Sequence, residues 1–281
     1  TLAALDAPET LPALLAGLAA PEPAARQAAA AGLGRRRAAS AAPRLVELLA
    51  DEETADAAGA ALADLGEAAV DPLLAALTAS WPATAIRRVL QALGASGQPR
   101  AAAALITAAA APDERTRTVA ATALARLGGP AVLETLIDLL QHDPVGEVRA
   151  AAALALGEQG APEAFPALRL GLADSQPETV QACQQALTRA GQPPSPGLAA
   201  AAAAILAERW EEAAVVGQEA VPLPLRVLGE SGLDRRTLER RAKAARLLGR
   251  IGAPETLPAL LGALTAPSEA IQAAVIRALG Q

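Results

Sequence analysis

Between residues 143 and 168 the chain reads DPVGEVRAAAALALGEQGAPEAFPAL, and versions of this stretch return along the whole sequence. With Gly160 as a register mark, six residues before Pro166, equivalent positions fall at Asp6, Arg37, Gly66, Gly97, Gly128, Gly191 and Gly252. Successive marks are 31, 29, 31, 31, 32 and 31 residues apart up to Gly191, and the last step of 61 spans two repeats. The ends keep the same count. APETLPALL occupies Ala7 to Leu15 and returns letter for letter at Ala253 to Leu261, 253 − 7 = 246 residues later, or eight steps. A fixed period of this size points to stacked repeats rather than one closed core.

One repeat reads as two short helices. Val148, Ala151, Ala152, Ala155 and Leu156 fall at helical spacing, and Ala and Leu are strong helix formers. Gly157 and Gly160 end that helix, because glycine accepts the left-handed backbone that a helix C-terminus needs. Pro162 and Glu163 open the next, with Pro suited to the first helical position and Glu to the positive end of the dipole. Pro166 is tolerated close to the start, where amide groups have no partner within the helix. Phe165, Leu168 and Leu172 then share one apolar face. Helices this short are marginal alone, so neighbouring repeats must cover them. A basic column stands eleven residues before the mark, at Arg26, Arg117, Arg149 and Arg241. Several turns carry Asp upstream of it, at Asp113, Asp143 and Asp234, which predicts a ladder of ion pairs between repeats.

The pattern D-x-x-x-x-V-R-x-x-A-A-x-A-L-G-x-x-G-x-P-E-A-x-P-A-L, from Asp143 to Leu168, resembles the short bacterial HEAT-like repeat, the type also found in phycobilin lyases. The resemblance covers essentially the full chain and is weakest between Pro193 and Gly232. It implies an all-α solenoid, a right-handed superhelix of about nine two-helix repeats. It also implies first helices on the convex side, second helices on the concave side, and a protein partner in the concave groove.

Composition narrows the chemistry. Apolar content is 52%, carried by Ala and Leu, with one Phe, two Trp, no Tyr and no Met, so helices are expected to pack closely. Net charge is −6, which argues against a general nucleic-acid role. The single Cys183 cannot form an internal disulfide and reads as a small core residue. His142 is the only histidine, near a helix end where a cation suits the dipole. A zinc site or a Ser-His-Asp triad would each depend on it, and no supporting motif accompanies it. No enzyme activity, cofactor or metal is expected. The longest apolar run, Leu198 to Ala207, is too short to span a bilayer, and no secretory signal is visible, so a cytoplasmic location is expected.

The expected organisation is one continuous repeat domain over residues 1–281, with both ends cut within a repeat. The array is irregular at 192–233. There QPPSP (Gln192 to Pro196) makes a stiff turn, Leu198 to Trp210 reads as one long Ala-rich helix, and a mark at Gly217 gives steps of 26 and 35. Candidate partner-binding residues are Trp81, in a turn, and the polar positions Glu134, Asp138, Arg169 and Arg226 on second helices, which also carry Arg44, Glu47 and Asp71. Trp210 aligns with Leu206, Ala213 and Ala214 and reads as core. Arg35-Arg36-Arg37 reads as a helix C-terminus, with an acidic partner as the other reading. Seven basic residues crowd 234–250, and Arg236, Arg240 and Lys243 share a helical face, read as solvated or as a basic patch. The function expected is a protein-interaction scaffold or adaptor for a protein or peptide. The alternatives are an accessory lyase or chaperone for a chromophorylated protein, suggested by the resemblance alone, and nucleic-acid binding through 234–250.

Overall fold

The computed structural model describes residues 10–280. The helix tail expected at residues 1–6, the mark at Asp6 and the first letters of the Ala7 to Leu15 copy fall outside them. Among the described residues there are eighteen α-helices and no strand, in an all-α solenoid of two-helix repeats. The chain divides into two compact units, Thr1–Gln159 and Gly160–Gln281.

The first unit holds α1 (Thr10–Gly17), α2 (Pro23–Arg35), α3 (Ala42–Glu47), α4 (Ala55–Leu65), α5 (Glu67–Leu77), α6 (Ala83–Ser96), α7 (Ala102–Ala109), α8 (Glu114–Leu124), α9 (Pro130–His142) and α10 (Gly146–Gln159). The first helices α2, α4, α6, α8 and α10 pack successively on one another. Among the second helices, α3 packs on α5 and α7 on α9. The period explains this layering. The leucine four residues before each mark, at Leu33, Leu62, Leu93 and Leu124, is 0% exposed. Its partner eight residues after the mark, at Leu45, Leu105 and Leu136, is equally buried. Each fully buried leucine contributes roughly 1.5–3 kcal/mol.

The marks are the points where the backbone turns left-handed. Gly66 and Gly97 have φ of 59° and 64°. At 128 the slot slips by one, to Gly129. Arg37, a mark without a glycine, also takes a positive φ, 49°.

The second unit holds α11 (Phe165–Gly171), α12 (Pro177–Arg189), α13 (Pro196–Leu206), α14 (Trp210–Val215), α15 (Pro222–Leu228), α16 (Arg235–Ile251), α17 (Leu257–Ala263) and α18 (Glu269–Leu279). Pro162 opens a three-residue 3-10 turn, Pro162–Ala164, and α11 follows it, so Pro166 lies at the second helical position. Pro254–Thr256 and α17 repeat that arrangement.

The irregular region differs from the helix expected over Leu198 to Trp210. That helix ends at Leu206, Glu208 turns left-handed at φ 60°, and Trp210 starts a new helix. The Arg209 amide donates back to the Ala204 carbonyl at 2.8 Å, closing the helix end. Strong Ala propensity is overridden here by the contacts Glu208 makes. In the second-helix row α15 packs on both α11 and α17, while α13 packs on α14 and on the turn 217–220. The Pro-rich turn therefore introduces a helix that stands aside from the row.

Candidate functional site

The predicted ladder is present. Arg26 reaches Asp51 at 2.9 Å, Arg87 reaches Asp113 at 3.3 Å, and Arg117 grips Asp143 with Nε at 2.7 Å and Nη2 at 3.1 Å. The same arginines turn back onto carbonyls of the preceding turn. Arg26 donates to Ala20 and Pro21, Arg117 to Ala111 and Pro112, and Arg149 to Asp143. Gln272 occupies the column in the final repeat and donates to Ala266. Arg241 departs from this and donates to Leu228. The aspartates also serve their own helices: Asp113 and Asp234 accept the amides of Thr116 and Thr237. Hydrogen bonding holds their carboxyls below the ordinary range, from Arg26 at Asp51, from the Thr116 hydroxyl at Asp113 and from the Thr237 hydroxyl at Asp234. This column is structural and leaves little charge free for a ligand.

The basic segment is largely consumed as well. Arg240 is buried at 3% exposure. Its guanidinium lies 5.9 Å from the Trp210 ring centroid, donates to the Ala173 carbonyl at 3.0 Å, and faces Glu208 and Glu230 at 3.6 and 3.7 Å. Its Nε has no hydrogen-bond partner among the described residues. Lys243 donates to Glu208 at 2.6 Å, as does the Trp210 indole at 3.0 Å. Partial burial raises the Glu208 pKa, but these hydrogen bonds outweigh it and the net shift is downward. Arg235 pairs with Glu239, and Arg250 with Glu211. Among the described residues Arg236 and Arg246 alone of the seven lack a partner. Arg236, Arg240 and Lys243 therefore do not form an open basic face: Arg240 is buried and Lys243 is paired with Glu208 in the turn before α14, contacts that the α16 sequence alone does not show. Trp210 is buried at 8%, as its spacing predicts.

The other candidates are placed as follows. Trp81 lies in the turn between α5 and α6 and is half-buried. Glu134 and Asp138 are exposed one turn apart on α9, and Asp138 meets His142 Nδ1 at 2.9 Å. In the second unit Arg169 is exposed on α11 and Arg226 is half-buried on α15, which packs against α11. Cys183 is fully buried. Among the described residues no three metal-ligating side chains come together, and no helix is long and apolar enough to cross a membrane.

Sequence reasoning missed two depressions on the first-helix side of the first unit. One, of about 210 Å³, lies between α4 and α6 and is lined by Gly59, Ala63, Arg88, Gln91 and Ala95, among others. The second, of about 250 Å³, lies between α6 and α8 and is lined by Gln91, Ala95, Thr118, Val119, Thr122 and Arg126, among others. Both come from the small residues of successive first helices, a signal present in the Ala-rich columns but read there only as close packing.

Comparison with known proteins bears on this repeat architecture. The HEAT-repeat family model matches residues 70–156 and 230–281, and the model for the PBS lyase HEAT-like repeat matches residues 148–174. No curated protein sequence matches the chain. Among solved structures, an engineered protein is 20% identical over all of this chain and 91% of its own, with a TM-score of 0.40. The complex of CpcE and CpcF of phycocyanin lyase from Nostoc sp. PCC7120 is 22% identical over 95% of this chain and 85% of its own, with a TM-score of 0.37. Human deoxyhypusine hydroxylase in complex with glycerol is 19% identical over 99% and 98%, with a TM-score of 0.34. Superpositions this loose carry no argument about what the chain binds or does.

Proposed function

The chain belongs to the family of HEAT-like repeat proteins, and from that premise we propose that it is a non-catalytic scaffold or adaptor that binds a protein or peptide partner on its second-helix surface. The observation that carries this reading is the exposed polar row on the second helices of the first unit. Arg44 and Glu47 stand on α3, Glu67 and Asp71 on α5, and Glu134 and Asp138 on α9, all exposed. Arg44 pairs with Glu47, and Arg100 of the next repeat pairs with Glu67 and Asp71, all on the exposed surface, while Glu134 has no partner among the described residues. Stacked repeats present such a row on a rigid frame without requiring any one residue to react. Within the first unit Trp81 is a further candidate, suited to an anchoring role, and within the second unit Arg169 and Arg226 are candidates of their own. Nucleic-acid binding through α16 is disfavoured by the pairing of its cations, since phosphate recognition needs free basic groups. The resemblance to lyase repeats leaves an accessory role toward a chromophorylated protein as a special case of the same scaffold.

The test is affinity capture from a nuclease-treated lysate at low and moderate salt, with the intact chain and with a Glu134→Arg/Asp138→Arg variant. A protein retained at both salt concentrations and lost from the variant supports the scaffold and places its face. Recovery of nucleic acid alone from an untreated lysate, lost at moderate salt and insensitive to the α9 variant, overturns it.

A further inference from the structure

The two depressions on the first-helix side of the first unit form one feature. They share Gln91 and Ala95, so the outer ridge of α6 is the wall between them. Their floors are small: Gly59, Ala60 and Ala63 on one side, Gly94 and Ala123 on the other. The close approach of α6 to α8 requires this. A Cβ on Gly94 would lie 2.6 Å from the Ala123 Cβ, so the floor of the second depression is backbone and small side chains, walled by Gln91, Thr118, Val119 and Thr122. Volumes of about 210 and 250 Å³ fall below the roughly 300–1,000 Å³ of a small-molecule site, and each suits a single bulky side chain.

Spacing and charge then select the occupant. Adjacent packed helices lie about 8–10 Å apart, which sets the separation of the two sockets. In a polyproline-II segment residues i and i+3 face the same way, about 9 Å apart. In a β-strand, residues on one face repeat at about 7 Å, too short for the step. A segment without internal hydrogen bonds also leaves backbone groups for the exposed Gln91 amide on the ridge; the Thr118 and Thr122 hydroxyls donate to the Glu114 and Thr118 carbonyls and can only accept. At the rims, Arg88 donates to the Leu49 carbonyl at 3.0 Å, and among the described residues neither it nor Arg126 has a carboxylate partner. Asp56 is the single carboxylate among the lining residues. The balance of charge favours an acidic ligand.

We propose that the paired sockets flanking α6 bind an extended acidic peptide segment carrying two bulky apolar side chains three residues apart. This surface is separate from the second-helix row, so either can fail without the other.

The probe is a fluorescein-labelled peptide, Asp-Leu-Pro-Pro-Leu-Glu, titrated by anisotropy against the whole chain. Its comparators are Lys-Leu-Pro-Pro-Leu-Lys and Asp-Ala-Pro-Pro-Ala-Glu. Saturable binding of the acidic peptide is expected, with neither comparator bound as tightly. Arg126→Glu is expected to weaken it by about fivefold or more, from reversing a rim ion pair. Ala95→Phe is expected to block both sockets and abolish binding, with circular dichroism confirming that the fold is kept. Glu255→Arg, at an exposed position before α17, is expected to leave binding unchanged. If the acidic peptide does not saturate, if the lysine peptide binds equally, or if folded Arg126→Glu binds as the parent does, the proposal is overturned. Concentration-dependent dimerisation abolished by Ala95→Phe, without peptide binding, would instead assign the sockets to a second copy of the chain and also overturn it.

Discussion

Gly94 and Gly97 stand three residues apart at one helix end and are glycine for different reasons. Gly97 takes φ 64° with nothing within 4 Å of a built Cβ, so its demand is purely conformational. Gly94 is helical, but a Cβ there would meet the Ala123 Cβ at 2.6 Å, its Cα at 2.7 Å and its carbonyl oxygen at 2.8 Å. Gly94→Ala should cost about 1–3 kcal/mol by overpacking. Ala123→Gly should not restore it, because backbone atoms remain in the way. Arg37 reverses the case: it holds the left-handed slot at φ 49° with an exposed side chain. Arg37→Gly should therefore stabilise the chain by about 1 kcal/mol. Urea unfolding of the three variants checks all of this, and an unstable Arg37→Gly would show that its side chain matters. Most left-handed slots were legible because the period marks them, with a slip of one residue to Gly129, while the positive φ of Arg37 was not foreseen. The packing role of Gly94 was not, since it depends on which residue of the next helix arrives opposite, and local sequence does not carry that.

Among the elements, α14 and α16 carry the greatest departure from expectation. The run Leu198 to Ala207 favours one continuous helix, and local propensity gives no reason to stop before Trp210. The structure stops it because Glu208 serves Lys243, Trp210 and Arg240 from a single carboxylate. Those donors are up to 35 residues distant, so the break lies beyond local reading. The irregularity itself was legible as the 26- and 35-residue steps around Gly217. A buried cation is costly to leave uncompensated, whereas an apolar replacement of similar volume removes both charge and desolvation. Glu208→Ala should lower stability by about 1–2 kcal/mol, since Glu230 and the Ala173 carbonyl still face Arg240, while Arg240→Met should be close to neutral. Thermal unfolding of both variants separates the outcomes. Equal losses would mean that Arg240 contributes mainly through its bond to the Ala173 carbonyl.

Across the whole molecule, the charge that matters for folding is the recurring turn carboxylate rather than the net −6. Asp51, Asp113 and Asp234 have pKa values lowered from the ordinary 3.8, and Glu208 is lowered from 4.5. A carboxyl lowered in the folded state binds fewer protons there than in the unfolded chain. Its stabilisation is complete above the unfolded value and disappears as pH falls through the folded one. Stability should therefore hold level from neutral pH to about pH 5 and fall steeply below about pH 4, because the period places the same group at several turns. Helicity followed against pH at fixed urea checks this. High salt should weaken the Arg26–Asp51 contribution more than the local caps at Asp113 and Asp234, whose first causes are hydrogen bonds to neighbouring threonines. Asp113→Asn should remove part of the acid slope while leaving the remaining caps in place. A loss of helicity beginning near pH 6 would instead implicate a group of raised pKa, and the turn carboxylates would not be what couples this repeat array to pH.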